Sequence, residues 1–154
     1  MNTVKRNPAQ MSGLEIMQAM MAGELPPARI AKGLNYTGHS VEAGKVVFRG
    51  APQLAHTNPM GTVHGGWYGT LLDSAMACAV MTMVPQGSTY TTLEYKVNIV
   101  RPIPVDMEVD CIGTIQHAGR STGVANGEIR GVQDGKLYAT GSTTCIIMKL
   151  PDAG

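Results

Sequence analysis

The sequence is short of charged residues and carries almost no excess of either sign. Charged residues make up 15% of its 154 positions, and 12 Lys and Arg stand against 11 Asp and Glu, a formal net charge of +1. A strong basic excess, which a nucleic-acid binder would carry, is absent, so we expect no nucleic-acid partner. Hydrophobic residues reach 44%, which argues against disorder. Because this charge content is low for a monomer's surface, it favours coverage by another copy of the chain.

Cysteine is scarce as well, and its three positions form no C-x-x-C pair. The three are Cys78, Cys111 and Cys145. An odd number of scattered cysteines predicts buried free thiols in a reducing compartment and not a disulfide framework. The four histidines show no spacing typical of metal ligands, so we expect no metal site. They are His39, His56, His64 and His117.

No signal-peptide-like apolar stretch follows the polar N-terminus. The only stretch that resembles a membrane span is 67–84, and it contains Asp73 near its middle. An isolated carboxylate costs a few kcal/mol in lipid, so a buried helix of a soluble protein is the better interpretation. We therefore expect a cytoplasmic protein without a membrane partner.

Helix signals occur at three places. Ser12-Gly13-Leu14-Glu15 has the pattern of a capping box and predicts a short helix that Gly23 ends. A second short helical piece is predicted around 28–31. The segment 67–84 is apolar nearly all round, which is typical of a helix enclosed by other elements, and Pro85 ends it.

Strand signals occupy most of the remainder. A hairpin with strands at 40–42 and 45–49 is predicted, and four further strands are predicted at 90–100, 107–117, 121–130 and 136–150. Because the turns are short, we expect successive strands to pair antiparallel. One long helix with five or six antiparallel strands predicts an α+β fold whose sheet curls round the helix. We expect one domain over 1–154, with an N-terminal helical segment (1–33) and a sheet with its central helix (34–150).

The stretch 58–73 combines features of a chemical site. Gly65 and Gly66 precede the predicted helix, where backbone N–H groups lack intrahelical partners. Those N–H groups and the helix dipole suit a polarised carbonyl or an oxyanion. Asp73 lies inside an apolar helix, where a carboxylate is rare unless it is paired or used in chemistry. The plainer alternatives are glycines that serve packing and an Asp73 that neighbouring hydroxyls hold in a structural role.

The spacing of these groups limits how they could cooperate. Gly65 and Asp73 are eight residues apart, roughly 12 Å along a helix axis. A carbonyl bound at the Gly65 N–H is therefore out of easy reach of Asp73 in the same helix. Two antiparallel helices across a two-fold axis would bring one chain's Gly65 near the other's Asp73. If the two groups act together, the protein must be at least a dimer.

The pattern Asn-x-x-Gly-x-x-His-Gly-Gly from Asn58, the Asp nine residues after His64, and the run from Thr92 to Pro102 together form a specific signature. They resemble the PaaI-type branch of the hot-dog-fold acyl-CoA thioesterases, within the 4-hydroxybenzoyl-CoA thioesterase-like superfamily. The resemblance covers about 58–102 and extends more loosely to Met148. It implies an antiparallel sheet wrapped round a long central helix. It also implies hydrolysis of an aromatic or medium-chain acyl-CoA to a free acid and coenzyme A.

The resemblance implies a role for each residue of the signature. The Gly65 N–H would polarise the thioester carbonyl, and Asp73 of the facing subunit would be the general base or nucleophile. Thr92 would help Asp73 to hold the attacking water. Asn58 and His64 would order the loop and contact the thioester or the water.

A looser part of the resemblance concerns coenzyme A. Gly66, Arg120 and Ser121 are candidate contacts, with Arg120 near a phosphate. No cofactor is implied, because coenzyme A enters as part of the substrate. The expected partners are the acyl-CoA and further copies of the chain, as a dimer or a dimer of dimers.

Other interpretations stay open from the sequence. A non-catalytic acyl-CoA-binding protein of the same fold would keep the pocket without needing Asp73, and an enoyl-CoA hydratase would need an Asp and a His presented differently. His64 and Asn58 could simply shape the loop, and Thr92 could be an ordinary strand residue. Some of the eleven methionines could line an acyl pocket, but the sequence does not show which.

Overall fold

One six-stranded antiparallel sheet surrounds a long helix in the computed structural model, which describes residues 7–151. Two short 3-10 helices lie at Pro8–Gln10 and Leu54–His56. The α-helices are α1 (Gly13–Met21), α2 (Arg29–Gly33) and α3 (Gly65–Met81). The strands are β1 (Tyr36–Glu42), β2 (Lys45–Gly50), β3 (Ser88–Ile99), β4 (Val109–Ala118), β5 (Thr122–Gly131) and β6 (Leu137–Lys149). The predicted α+β layout is therefore confirmed, and α3 contacts every strand from β2 to β6.

The strands follow the order β1-β2-β4-β5-β6-β3. The prediction that successive strands pair is right for β1 with β2 and for β4, β5 and β6. It is wrong for β3, which pairs with β6 at the far edge and not with β4. The reason is that the connection 100–108 is not a tight hairpin turn. It carries the chain across to β2, and β4 pairs with β2. The sheet can then close over α3 from both ends.

The helix α3 forms the centre of the core. Its side chains Leu71, Leu72, Met76 and Val80 have no exposed surface, and burial of each contributes about 1.5–3 kcal/mol. On β4, a side chain at Gly113 would collide with the α3 backbone, so glycine permits the close approach of strand and helix. No helix within 7–151 is both long and apolar enough to cross a bilayer.

The N-terminal helices cover the β1 edge of the sheet. The predicted capping box of α1 is confirmed, because the Ser12 N–H donates to Glu15 Oε2 (2.8 Å) and the Glu15 N–H donates to Ser12 Oγ (3.3 Å). The Gly13 N–H then donates to the Val84 carbonyl at 2.9 Å, which ties α1 to the end of α3. Both α1 and α2 pack against β1, whereas β3 forms the opposite edge of the sheet.

Candidate active site

The start of α3 presents one unpaired backbone donor. His64 is the N-cap residue, and its Nδ1 accepts a 2.8 Å hydrogen bond from the Gly66 N–H. The Gly65 N–H makes no hydrogen bond within residues 7–151, and Gly65 is exposed. Because Nδ1 accepts, the proton of the neutral His64 ring lies on Nε2. The structure therefore leaves the Gly65 N–H, at the positive end of the helix, available to a bound oxygen.

The loop before α3 is built on the side chain of Asn58. Its Oδ1 accepts hydrogen bonds from the Met60 N–H (2.9 Å) and the Thr62 N–H (3.4 Å), and its Nδ2 donates to Thr62 Oγ1 (2.8 Å). Gly61 has a φ of +81°, a conformation that favours glycine. Asn58 thus organises the turn that leads to His64.

The carboxylate of Asp73 meets a hydroxyl from the sheet. Asp73 is half-buried on α3, and its Oδ1 accepts a 2.9 Å hydrogen bond from Thr92 Oγ1 on β3. The pairing register of β3 shifts directly after Thr92, as it does at a β-bulge, which re-aims the side chains of a strand. The Oδ2 of Asp73 has no hydrogen-bond partner within the described part of the chain. One carboxylate oxygen is therefore oriented and the other is available to water.

The carboxylate and the free N–H lie at separate places along α3. Eight residues separate Gly65 from Asp73, roughly 12 Å along the helix. Four exposed apolar residues of β3 and the position after it form a surface here called the β3 edge strip. It consists of Leu93, Tyr95, Ile99 and Val100, which are 61%, 47%, 48% and 57% exposed. A Cβ added at Gly65 would lie 3.5 Å from Ile99 Cδ1, so Gly65 lies next to the Ile99 end of this strip.

Of the candidate coenzyme A residues, Gly66 lies in the first turn of α3, whereas Arg120 and Ser121 lie apart from it. Arg120 and Ser121 form the exposed turn between β4 and β5, and the Ser121 carbonyl accepts a 2.9 Å hydrogen bond from the Ile147 N–H. The strand pairings place Thr92 in one row with Gly123. This turn is therefore at the same end of the sheet as Thr92.

The sequence did not reveal a group of polar side chains next to Asp73. The Tyr36 hydroxyl lies 2.9 Å from Ser74 Oγ, and the Cys78 thiol is hydrogen-bonded with the Tyr90 hydroxyl. Burial raises the pKa of Cys78 to about 12 and raises the pKa of Tyr90, so both stay neutral near pH 7. Ser74 and Cys78 share a face of α3 by their i,i+4 spacing, a signal that could have been noticed. Tyr36 lies too far away in sequence for any such signal.

These side chains line a cavity of about 450 Å³ between α1, α2, β1 and α3. Methionines of α1 form much of its wall, together with Phe48 and the hydrocarbon parts of neighbouring residues. No group of three or more His, Cys, Asp or Glu side chains is placed to hold a metal ion within 7–151.

Comparisons with known proteins agree with this architecture. The family model of the Thioesterase superfamily matches residues 60–138, just over half of the chain. Mouse acyl-coenzyme A thioesterase 13 is 29% identical over 89 residues, which cover 58% of this chain and 63% of the mouse protein. The match therefore spans less than two-thirds of that relative.

Solved structures share most of the fold. A phenylacetic acid degradation-related protein from Ralstonia eutropha has a TM-score of 0.75 and 30% identity, covering 84% of this chain and 97% of its own. A variant of the phenylacetic acid degradation protein PaaI from Thermus thermophilus has a TM-score of 0.70 and 25% identity, covering 77% and 98%. The expected PaaI-type likeness and the hot-dog fold are confirmed. This chain belongs to the Thioesterase superfamily.

Proposed function

We propose that the protein hydrolyses acyl-CoA thioesters to a free acid and coenzyme A. The observation that carries the proposal is the 2.9 Å hydrogen bond from Thr92 to Asp73. It orients a half-buried carboxylate and leaves the second oxygen open to water. A carboxylate held in this way suits a general base.

The proposed reaction uses the start of α3 in one chain and the Asp73 carboxylate of the facing chain. The thioester carbonyl accepts a hydrogen bond from the Gly65 N–H, at the positive end of the helix dipole. Water held by Asp73 attacks the carbonyl carbon. Asp73 takes the proton, and the tetrahedral oxyanion forms against the Gly65 N–H. The C–S bond then breaks, and Asp73 returns the proton to the leaving sulfur. One such oxyanion donor contributes about 3 kcal/mol in other enzymes.

Two copies of the chain are needed for this reaction, because Gly65 and Asp73 of one helix cannot reach the same carbonyl. A long uncovered edge strand is a template for pairing with another chain. Pairing of two β3 edge strips across a two-fold axis would cover Leu93 and Ile99, which are 61% and 48% exposed. It would also set two antiparallel α3 helices side by side. A dimer, alone or as half of a dimer of dimers, is therefore part of the proposal.

For coenzyme A, Arg120 is the stronger candidate contact. Arg120 is exposed and forms no ion pair within 7–151, and guanidinium groups recognise phosphate well. The Gly66 N–H is already engaged by His64, so Gly66 would contribute through its lack of a side chain.

The direct test is a panel of acyl-CoA substrates in the presence of a thiol reagent. The panel contains phenylacetyl-CoA, 4-hydroxybenzoyl-CoA, straight-chain acyl-CoAs and an enoyl-CoA. Release of free thiol supports hydrolysis. Binding without thiol release indicates an acyl-CoA-binding protein, and loss of enoyl absorbance indicates a hydratase. Either result contradicts the proposal.

The matched variant is Asp73→Asn, which keeps the size of the side chain and removes the base. We expect kcat to fall by about 10²–10⁴, while circular dichroism and sedimentation stay as in the parent protein. Unchanged turnover of a good substrate would remove Asp73 from the mechanism.

The part that Asp73 takes can be resolved with solvent oxygen-18 in a single turnover. Label that appears in the Asp73 carboxylate means direct attack through an anhydride, because a general base places the label in the released acid alone.

A further inference from the structure

The cavity beside Asp73 has the size of a binding site. Its volume of about 450 Å³ lies within the range of small-molecule sites, about 300–1,000 Å³. An engineered cavity of about 150 Å³ already holds benzene. A single aromatic ring would therefore leave most of this cavity empty.

The cavity wall contains sequence neighbours of the proposed base and of the residue that orients it. Ser74 follows Asp73 on α3, and Tyr90 precedes Thr92 by two residues on β3, so both pairs join the carboxylate site to the cavity wall. Burial raises the pKa of Tyr90, and the charge of Asp73 raises it further, which shows that the carboxylate is within electrostatic reach of this wall.

The chemistry of the wall selects against polar occupants. The Tyr36 hydroxyl is engaged by Ser74 and the Tyr90 hydroxyl by Cys78. Among the described residues no buried side-chain nitrogen or oxygen lacks a hydrogen-bond partner. Apart from Lys32 and Thr37, which line the cavity but are exposed, the wall thus offers a polar substituent no unengaged partner, and the substituent would lose its hydration.

The far wall of the cavity is adjustable in shape. It is made by Met17, Met20 and Met21 of α1, with Ala28 near the start of α2. Methionine is unbranched and flexible, so it adapts to chains of different length. A side chain at Gly38 would collide with the end of Met21, which shows how closely that methionine lies over β1.

We propose that this cavity receives the acyl group of the substrate and that the methionines of α1 set the accepted chain length, which makes the substrate an unbranched, unsubstituted hydrocarbon acyl-CoA. The inference rests on the proposed function and adds the location and the selector of the acyl group. Chains that enter the cavity gain affinity with each buried methylene until they reach Met20, and longer chains then force the methionine wall apart.

The test measures kcat/KM for straight-chain acyl-CoAs from butyryl to hexadecanoyl, with phenylacetyl-CoA for comparison. In the parent protein we expect kcat/KM to rise about fourfold per methylene and then stop rising. Met20→Ala should move that limit to longer chains, and Ala28→Phe should move it to shorter ones. Each variant should change the ratio of kcat/KM for dodecanoyl-CoA to kcat/KM for butyryl-CoA by about tenfold or more, and the two variants should change it in opposite directions. Met83→Ala is the matched control, because Met83 is 43% exposed and lies outside the cavity, and its profile should equal the parent's.

An identical chain-length profile in all four proteins would overturn the cavity assignment while leaving hydrolysis intact. A phenylacetyl-CoA that outperforms every hydrocarbon chain would overturn the proposed substrate class.

Binding of decanoic acid, measured by calorimetry, separates this inference from the proposed activity. If the protein hydrolyses no acyl-CoA but binds decanoic acid, and the Ala28→Phe variant binds it more weakly, the result contradicts the proposed hydrolysis and supports the cavity assignment. Absence of both hydrolysis and decanoic acid binding overturns both.

Discussion

The two edges of the sheet differ in how the chain covers them. The β1 edge is seven residues long, and α1 and α2 pack against it, enclosing the methionine-lined cavity. The β3 edge is twelve residues long and carries the exposed β3 edge strip. One edge is thus completed by its own chain, whereas the other is left with apolar side chains in the open.

The difference shows where a second copy of the chain is needed. Natural proteins cover, charge or shorten the edges of their sheets, because a bare apolar edge pairs with other chains. The covered edge can hold the acyl group within one chain, while the bare edge borders the unpaired N–H of Gly65. We therefore expect charges introduced at the two edges to have very different effects.

The largest expected effect comes from a charge in the β3 edge strip. Ile99→Lys would place an ammonium group in the proposed interface, and we expect monomers with at least about a hundredfold loss of kcat/KM, because the oxyanion donor is lost with the partner. The control is Ser40→Lys on the exposed surface of β1, which should leave the oligomeric state and kcat/KM unchanged. Sedimentation and thiol release measure the two. An Ile99→Lys protein that is monomeric and fully active would refute the shared site.

A smaller effect is expected from the hydroxyl that orients Asp73. Thr92→Val keeps the shape of the side chain and removes the 2.9 Å hydrogen bond. Hydrogen bonds to charged groups contribute about 1.5–3 kcal/mol, so kcat should fall by about ten- to a hundredfold with little change in KM. Thr91→Val serves as the control, since Thr91 is exposed on the other face of β3. Equal kcat values for both variants would show that Thr92 does not act on Asp73.

The smallest expected effect lies on the covered side of the molecule. The pKa of Cys78 is raised from 9.0 to about 12, mainly by burial. A raised folded-state pKa stabilises the protein below pH 9, and this contribution is lost as the pH rises from 9 towards 12. From pH 8 to pH 10 the free energy of unfolding should thus lose about 1.4 kcal/mol through this thiol. In denaturant titrations, the free energy of unfolding of the Cys78→Ser protein should fall by about that much less over the same pH range. An equal fall in both proteins would show that the thiol is not buried.

Much of the fold could be predicted because its signals are local. The four later strands begin and end within two residues of their predicted positions, and the capping box at Ser12 is present. The helix α3 begins at Gly65 and not at Trp67, because an N-cap provided by His64 has no strong sequence signature. The β1 strand also begins four residues earlier than predicted, where Tyr36 is buried in the core.

The parts that could not be predicted depend on contacts between distant residues. No periodicity in the sequence places β3 beside β6, because that pairing follows from how the sheet closes over α3. The resemblance alone pointed from Thr92 to Asp73, and nothing in their spacing of nineteen residues indicates a hydrogen bond. The cavity joins residues as distant as Met20 and Tyr90, so the methionines that line it could not be chosen in advance.

The Asp73→Asn chain lacks the proposed base, and a second variant, Gly65→Pro, lacks only the oxyanion donor. Gly65→Pro removes the N–H, and proline is well tolerated at the first position of a helix. The preceding His64 has φ −64° and ψ 138°, a conformation that suits a residue before proline. A Cβ at position 65 meets only Ile99 Cδ1, at an ordinary 3.5 Å. We expect a folded dimer with greatly reduced turnover.

The central claim, that each site takes Gly65 from one chain and Asp73 from its neighbour, is tested most directly by complementation. The D73N and G65P chains are produced together with different tags, and hydrolysis is compared with that of each chain alone. Random pairing makes half of the dimers mixed, and each mixed dimer regains one of two sites, so activity should recover to about a quarter of that of the parent. Mixed dimers that are isolated through both tags and show no more activity than either defective chain would contradict the shared site.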